Sequence, residues 1–152
     1  GDFIKGAVNR SAVGTLVERS SRFVLLAQMD DCSSLSALHG FSRVLRRVEP
    51  AMRKTMTYDR GTEMARHREL VDANDIKVYF ADPHSPWQRG SNENTIGLIR
   101  QFIPKGEPLS LQTQQAIAEI ERLLNNRPRA CLGFRTPAEL LFDSRSQCRD
   151  SN

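Results

Sequence analysis

Long apolar runs are missing from this 152-residue sequence: no stretch approaches the ~20 residues that cross a bilayer, and the opening Gly1-Asp2-Phe3-Ile4-Lys5 lacks the apolar core of a secretory leader. No membrane partner is expected, and the cytoplasm is the expected compartment. Cysteine is scarce. Cys32, Cys131 and Cys148 are odd in number and match no zinc spacing, which excludes a disulfide scaffold and leaves reduced thiols. Internal repeats and low-complexity segments are also absent, so neither a solenoid nor a disordered tract is expected. Charge is not strongly of one sign. With 22 Lys+Arg against 18 Asp+Glu the net charge is +4, a weak preference for an anionic partner. Arginines dominate the cations, and arginine grips phosphate in a two-pronged fashion that lysine does not.

What is present suits one soluble α/β domain: 39% hydrophobic and 26% charged residues in a length typical of a single core. Phe3-Ile4 reads as a strand end. Ser11 to Glu18 and Arg22 to Met29 are rich in β-branched and aliphatic residues and flank the polar Arg19-Ser20-Ser21, a hairpin pattern. The period then changes. Leu35, Leu38, Phe41, Val44, Leu45 and Val48 recur at three and four, which predicts a helix with Asp31 or Ser33 as N-cap and Pro50 beyond its end. Its Arg43, Arg46 and Arg47 fall on the polar side. Lys54 to Tyr58 predicts a strand, Met64 to Ala73 a helix, and Ile76 to Phe80 another strand. A polar loop from Asp82 to Gly90 leads to a helix over Asn92 to Ile103. A further helix, capped by Ser110, runs to Asn126 with Leu111, Ile117, Ile120, Leu123 and Leu124 as its apolar positions. Thr136 and Pro137 open a last short helix. The expected division is a core over 1–142 and a polar tail over 143–152. The alternation of later strands with helices favours parallel pairing, hence a mixed sheet of about five strands flanked by helices.

Three acids fall at telling places on this layout. Asp2 opens the first strand, Asp59 follows the fourth, and Glu93 stands at the start of the helix after the fifth, with 33 residues between it and Asp59. Strand ends gather ligand groups in open α/β sheets. Phosphoryl transfer often uses two divalent ions held by oxygen ligands, and three carboxylates can hold them while leaving positions open for water and phosphate. Each acid also has an ordinary reading. Asp2 can be a solvated terminal residue, Asp59 before Arg60-Gly61 a turn former, and Glu93 a first-turn acid favoured by the helix dipole. Asp30-Asp31 is a rival pair, better suited to capping.

The segment Asp82-Pro83-His84-Ser85-Pro86-Trp87-Gln88-Arg89-Gly90-Ser91-Asn92-Glu93-Asn94 resembles the signature of bacterial insertion-sequence transposases of the insertion-sequence-thirty family. Thr57-Tyr58-Asp59-Arg60-Gly61-Thr62-Glu63-Met64 is similar to that family's second-aspartate motif, and Gly1-Asp2-Phe3-Ile4-Lys5-Gly6 to its first. Asn125-Asn126-Arg127-Pro128-Arg129 and Leu132 to Glu139 also match, so the resemblance runs from Asp2 to Leu140. Pro86, Gly90 and Glu93 further resemble the retroviral integrase pattern. The resemblance implies a ribonuclease-H-like integrase core. It makes Asp2, Asp59 and Glu93 the catalytic and metal-holding triad for two Mg²⁺ ions, with Mn²⁺ as substitute. It implies DNA as partner, both transposon ends and target, and a homo-oligomer in the active assembly, associated with the nucleoid. Members of the family carry a separate DNA-binding region before this core, so recognition of transposon ends is expected outside it.

Around the triad, Arg60 and Arg89 are candidate DNA contacts and Trp87 can stack on a base or anchor its loop. Asn92 and Asn94 flank Glu93 and are candidates for DNA or for a water beside the metal. Gly97 and Arg100 share the helix face of Glu93. Arg100 is either a phosphate contact or a surface residue, and Gly97 would allow a close backbone approach. His84 can orient water or serve its loop. Arg127 and Arg129 are expected to satisfy carbonyls at a helix end or an acid. The expected activity is strand cleavage by water followed by strand transfer from the freed 3′-hydroxyl. A nuclease of the same fold and a non-catalytic DNA-binding module are the alternatives. Three retained carboxylates speak against the last, because a pure binder gains nothing from acids facing phosphate.

Overall fold

The computed structural model describes residues 1–5, 11–59, 61–82, 90–106, 109 and 112–149. Among these described residues five strands and five α-helices follow in the order β1 (Asp2–Lys5), β2 (Ala12–Val17), β3 (Val24–Met29), α1 (Ser34–Leu45), β4 (Thr55–Tyr58), α2 (His67–Asn74), β5 (Lys77–Phe80), α3 (Gly90–Ile99), α4 (Gln114–Asn125) and α5 (Pro137–Arg149). The strands form two ladders. β1, β2 and β3 are antiparallel neighbours, with Asp2 opposite Thr15 and Ala12 opposite Met29; β4 and β5 pair in parallel, Thr55 against Lys77. The expected mixed sheet thus has its five strands and both pairings, but in two pieces. At the seam the Gly1 backbone nitrogen donates to the Thr57 carbonyl at 2.6 Å, which sets the start of β1 beside β4.

Alternation along β2 and β3 sorts side chains to two faces, and both faces are apolar. Phe3, Ala12, Leu16, Leu25, Ala27 and Met29 join Phe41, Val44 and Leu45 of α1 and Met56 and Tyr58 of β4 in one core. Ile4, Val13, Val24 and Leu26 join Ile99, Ile103, Ile117, Ile120 and Leu124 in the other. α1 approaches closely because position 14 carries no side chain: a Cβ there would lie 2.5 Å from Met29 Cε and 2.7 Å from Phe41 Cε1.

β3 is an edge strand, and α4 covers its edge with side chains. Asn125 Oδ1 accepts from Val24 N–H and its Nδ2 donates to Val24 C=O, both at 2.8 Å; Glu121 Oε2 accepts from Leu26 N–H at 2.7 Å. Arg47 reaches round from α1 to pair with Glu121, and Arg43 donates to Gln28 C=O at 2.8 Å. These two arginines hold the edge and are not the simply solvated face their helix pattern predicts.

Several boundaries differ from the sequence reading. Ser33, not Asp31, caps α1, while Asp31 accepts from Ser33 N–H; Leu35 is 44% exposed because the helix rolls its Phe41 side onto the sheet. α2 is preceded by a 3₁₀ turn at Thr62–Met64 and starts at His67. α3 ends at Ile99, with Ile103 still buried beyond it. Thr113 caps α4; Ser110 and Leu111 lie outside the described residues, and Leu123 is 41% exposed. Thr136 and Glu139 form a reciprocal cap at the start of α5, as Thr136-Pro137 predicts. The helix then continues past Phe142 to Arg149, steadied by an Arg135–Asp143 ion pair and by Ser144 donating back to Leu140 C=O. Among the described residues no helix is long and apolar enough to cross a membrane.

Removing the Asn125 amide leaves a buried donor and a buried acceptor of Val24 unpaired. Each such group costs about 1–3 kcal/mol, so urea denaturation of Asn125→Ala is expected to show a loss of about 2–6 kcal/mol.

Candidate active site

β1, β4 and α3 set where the three acids stand. Asp2 opens β1, half-buried, and its Oδ1 accepts from Phe3 N–H at 2.8 Å. Asp59 follows β4 directly and is half-buried; Glu93 lies exposed in the first turn of α3. The backbone next to each acid is tied to the others. Gly1 bonds Thr57, two residues before Asp59. Asp2 pairs with Thr15 in the β1–β2 ladder. Thr15 Oγ1 lies 3.1 Å from Asp2 C=O and 3.2 Å from Asn92 Oδ1, one residue before Glu93. Four elements therefore meet at the start of β1.

A cavity of about 390 Å³ lies mainly between the β2–β3 hairpin end, the C-terminal part of α1 and β4; Gly1, Thr57 and Asn92 touch it, but Asp2, Asp59 and Glu93 do not line it. The side chains themselves do not close on one point. Among the described residues no three His, Cys, Asp or Glu side chains stand together as an ion cage.

The neighbouring candidates divide. Asn94 is exposed on the first turn of α3, and a Cβ at Gly97 would meet nothing within 4 Å, so this helix surface is open. Asn92 is only 5% exposed and faces Thr15, a placement unsuited to DNA contact. Arg100 is half-buried, and its Nη1 lies 3.4 Å from the carbonyls of Ile103 and Pro104, the chain just past α3. That ties down the turn following α3, a role that neither of the two sequence readings foresaw. Arg129 donates to Leu124 C=O at 3.2 Å, as expected of a cation beyond α4; burial lowers its pKa. Arg127 instead reaches Gln101 Oε1 at 3.4 Å. Arg60, His84, Trp87 and Arg89 lie outside the described residues. The sequence reading passed over Thr15, whose one signal is a hydroxyl inside the otherwise apolar Ala12-Val13-Gly14-Thr15-Leu16-Val17.

The integrase core domain family matches residues 1–86. The chain belongs to that family. Its fold is the ribonuclease-H-like integrase core. The catalytic core domain of BIV integrase superposes with a TM-score of 0.71 over 96% of this chain and 93% of that one, at 19% identity. A chain of the simian T-cell lymphotropic virus intasome gives 0.68 over 91% and 51%, at 17% identity. At such identities the likeness concerns the fold. In sequence the integrase core is 54% identical over 141 residues to the transposase for insertion sequence element IS1086 of Cupriavidus metallidurans. It is 43% identical over 141 residues to the transposase InsI for insertion sequence element IS30A of Escherichia coli. Both alignments cover 93% of this chain, which spans 42% and 37% of those relatives' lengths.

Arg100 yields a prediction that separates a tether on the turn after α3 from phosphate contact. Each lysine or arginine on a phosphate contributes about 0.9 to the slope of log affinity against log salt. Arg100→Ala is expected to lower the melting temperature while leaving that slope unchanged in fluorescence anisotropy with duplex DNA.

Proposed function

We propose that this integrase core is the catalytic domain of a DNA transposase, cutting a DNA strand with water and then joining the freed 3′-hydroxyl to target DNA. The observation that carries this reading is the junction of Thr57, Gly1, Thr15 and Asn92, which draws together the backbones flanking Asp2, Asp59 and Glu93. Its further support is the 54% identity to an insertion-sequence transposase.

In this reading Asp2, Asp59 and Glu93 hold Mg²⁺, or Mn²⁺ in its place. The donor set fits such ions in its chemistry: three carboxylates are hard oxygen ligands with no thiol or imidazole among them. Two bound ions would supply activation of the attacking oxygen and stabilisation of the leaving one. The chain's own residues do the rest. Three acids at one end of the sheet repel phosphate until countercharge is present, so DNA binding and cation binding are linked. Glu93, exposed on α3, is the acid freest to move toward an ion. Asn94 and the open surface at Gly97 lie on the same helix and leave room for a DNA backbone. Arg60, Trp87 and Arg89 remain the proposed DNA contacts. The active form is a homo-oligomer working at the nucleoid, in line with the intasome likeness.

Glu93→Gln tests the triad. As an exposed position its melting temperature should stay near wild type, since surface changes fall within about 0.5 kcal/mol. Mn²⁺-dependent cleavage of a transposon-end duplex should fall more than about a hundredfold, ~2.7 kcal/mol of barrier. Full activity in a folded Glu93→Gln chain would remove it from the mechanism. Strand-transfer products, scored on the same gels, distinguish a transposase from a nuclease of this fold.

A second prediction concerns DNA recognition. Scattered arginines meet phosphates and carry no base code. Anisotropy should therefore give a salt-sensitive dissociation constant of about 10⁻⁴–10⁻⁶ M, with Mg²⁺ strengthening binding at constant ionic strength. A preference for transposon-end over scrambled duplex beyond about tenfold, ~1.4 kcal/mol, would show that the core reads bases.

A further inference from the structure

Thr15 is fully buried at 0% exposure, in the middle of β2, and it is the polar link between β1 and the helix that carries Glu93. A buried hydroxyl must be paired, because it has given up its hydrogen bonds to water. Its oxygen has a single proton, and two acceptors stand within reach: Asp2 C=O and Asn92 Oδ1. Meanwhile Asn92 Nδ2 is buried and has no partner among the described residues. An Asn92 amide turned over would set Nδ2 on Thr15 Oγ1 and leave the hydroxyl proton for Asp2 C=O. One chain of donors then runs from α3 through β2 to β1.

We propose that Thr15, acting with Asn92, is a positioning residue that fixes the spacing between Asp2 and Glu93. This rests on the assignment of those two acids to one cation site. Asn92 is too buried to touch DNA, yet it neighbours Glu93 in sequence; its use is to hold the first turn of α3 against the sheet. Thr15 does the same for Asp2 from across the ladder, where the two residues are register partners. A hydroxyl suits this place because it bonds two elements at once within the volume of a methyl group. Valine, its apolar isostere, would fill the space and release both bonds.

The test uses the full chain, with cysteines replaced except at labelled positions. Spin labels at Lys5 and Asn94, both exposed, report the distance between β1 and α3 with no cation present. Thr15→Val should broaden that distance distribution, and Thr15→Ser, which keeps the hydroxyl, should restore it. The cation response is read separately as the Mn²⁺ concentration that half-saturates the rise in melting temperature. Loss of a group that orients metal ligands typically weakens metal binding 10–100-fold, so Thr15→Val should need about tenfold more Mn²⁺ and Thr15→Ser close to the wild-type amount. An unchanged distance distribution in Thr15→Val overturns the proposal. So does a lowered melting temperature with an unaltered Mn²⁺ requirement, which would make Thr15 a packing residue only. A wild-type chain whose melting does not respond to Mn²⁺ would bring down the shared cation site itself, and the role of Thr15 with it; the wild-type control tells that failure from the others.

Discussion

Burial of β2 on both faces is the constraint on which the rest of this molecule depends. Its residues from Ala12 to Leu16 are all buried, so the strand is a wall with a core on either side. A wall of this kind tolerates no helix on one face alone; α1 must close one side and α3 with α4 the other. The two closures differ in means. α1 settles on the sheet because Gly14 leaves a recess for Met29 and Phe41. The opposite face is filled by aliphatic side chains from α3, α4 and the segment between them, with Ile99, Ile103 and Leu109 almost wholly buried.

Covering both faces exposes a second difficulty, the free edge of β3. Unpaired strand edges invite association with other chains. Here the remedy is side-chain amides and carboxylates in the role of a neighbouring strand. Asn125 reproduces both bonds of a ladder pair on Val24, and Glu121 takes the next free donor at Leu26. The Arg47–Glu121 pair then joins the helices of the two layers across that edge. Arg47 is half exposed, so the pair matters for holding Glu121 in place more than for its own Coulomb energy.

The same wall explains where chemistry is possible. Within β2 the buried hydroxyl of Thr15 joins the start of β1 to the start of α3 on the face opposite α1. At the neighbouring seam the Gly1 backbone nitrogen joins β1 to β4. Polar groups collect here because strand starts and a helix N-terminus leave donors and acceptors without regular partners. Among the described residues the acids near this junction do not assemble a cage. Asp2 satisfies the Phe3 N–H and Glu93 points to solvent.

Local pattern was enough for the order of elements. Runs of β-branched and aliphatic residues on either side of a polar turn in β2 and β3, period three to four in α1, and the Thr136-Pro137 cap each encode backbone geometry within a few residues, and each appears in the fold. The integrase-core family was equally legible, because its motifs are runs of specific residues. What local pattern could not hold was partnership across the chain. Arg47 looked like a solvated cation until α4 brought Glu121 to it from 74 residues away. Asn92 looked like a DNA contact beside Glu93 until Thr15, 77 residues distant, buried it. Arg100 shares a helical face with Glu93, yet the chain turning at Pro104 takes its guanidinium. In each case the side chain's chemistry is written in the sequence. Whether it faces water, phosphate or a backbone carbonyl depends on which distant surface packs over it, and that is decided only when both faces of the β2 wall are closed.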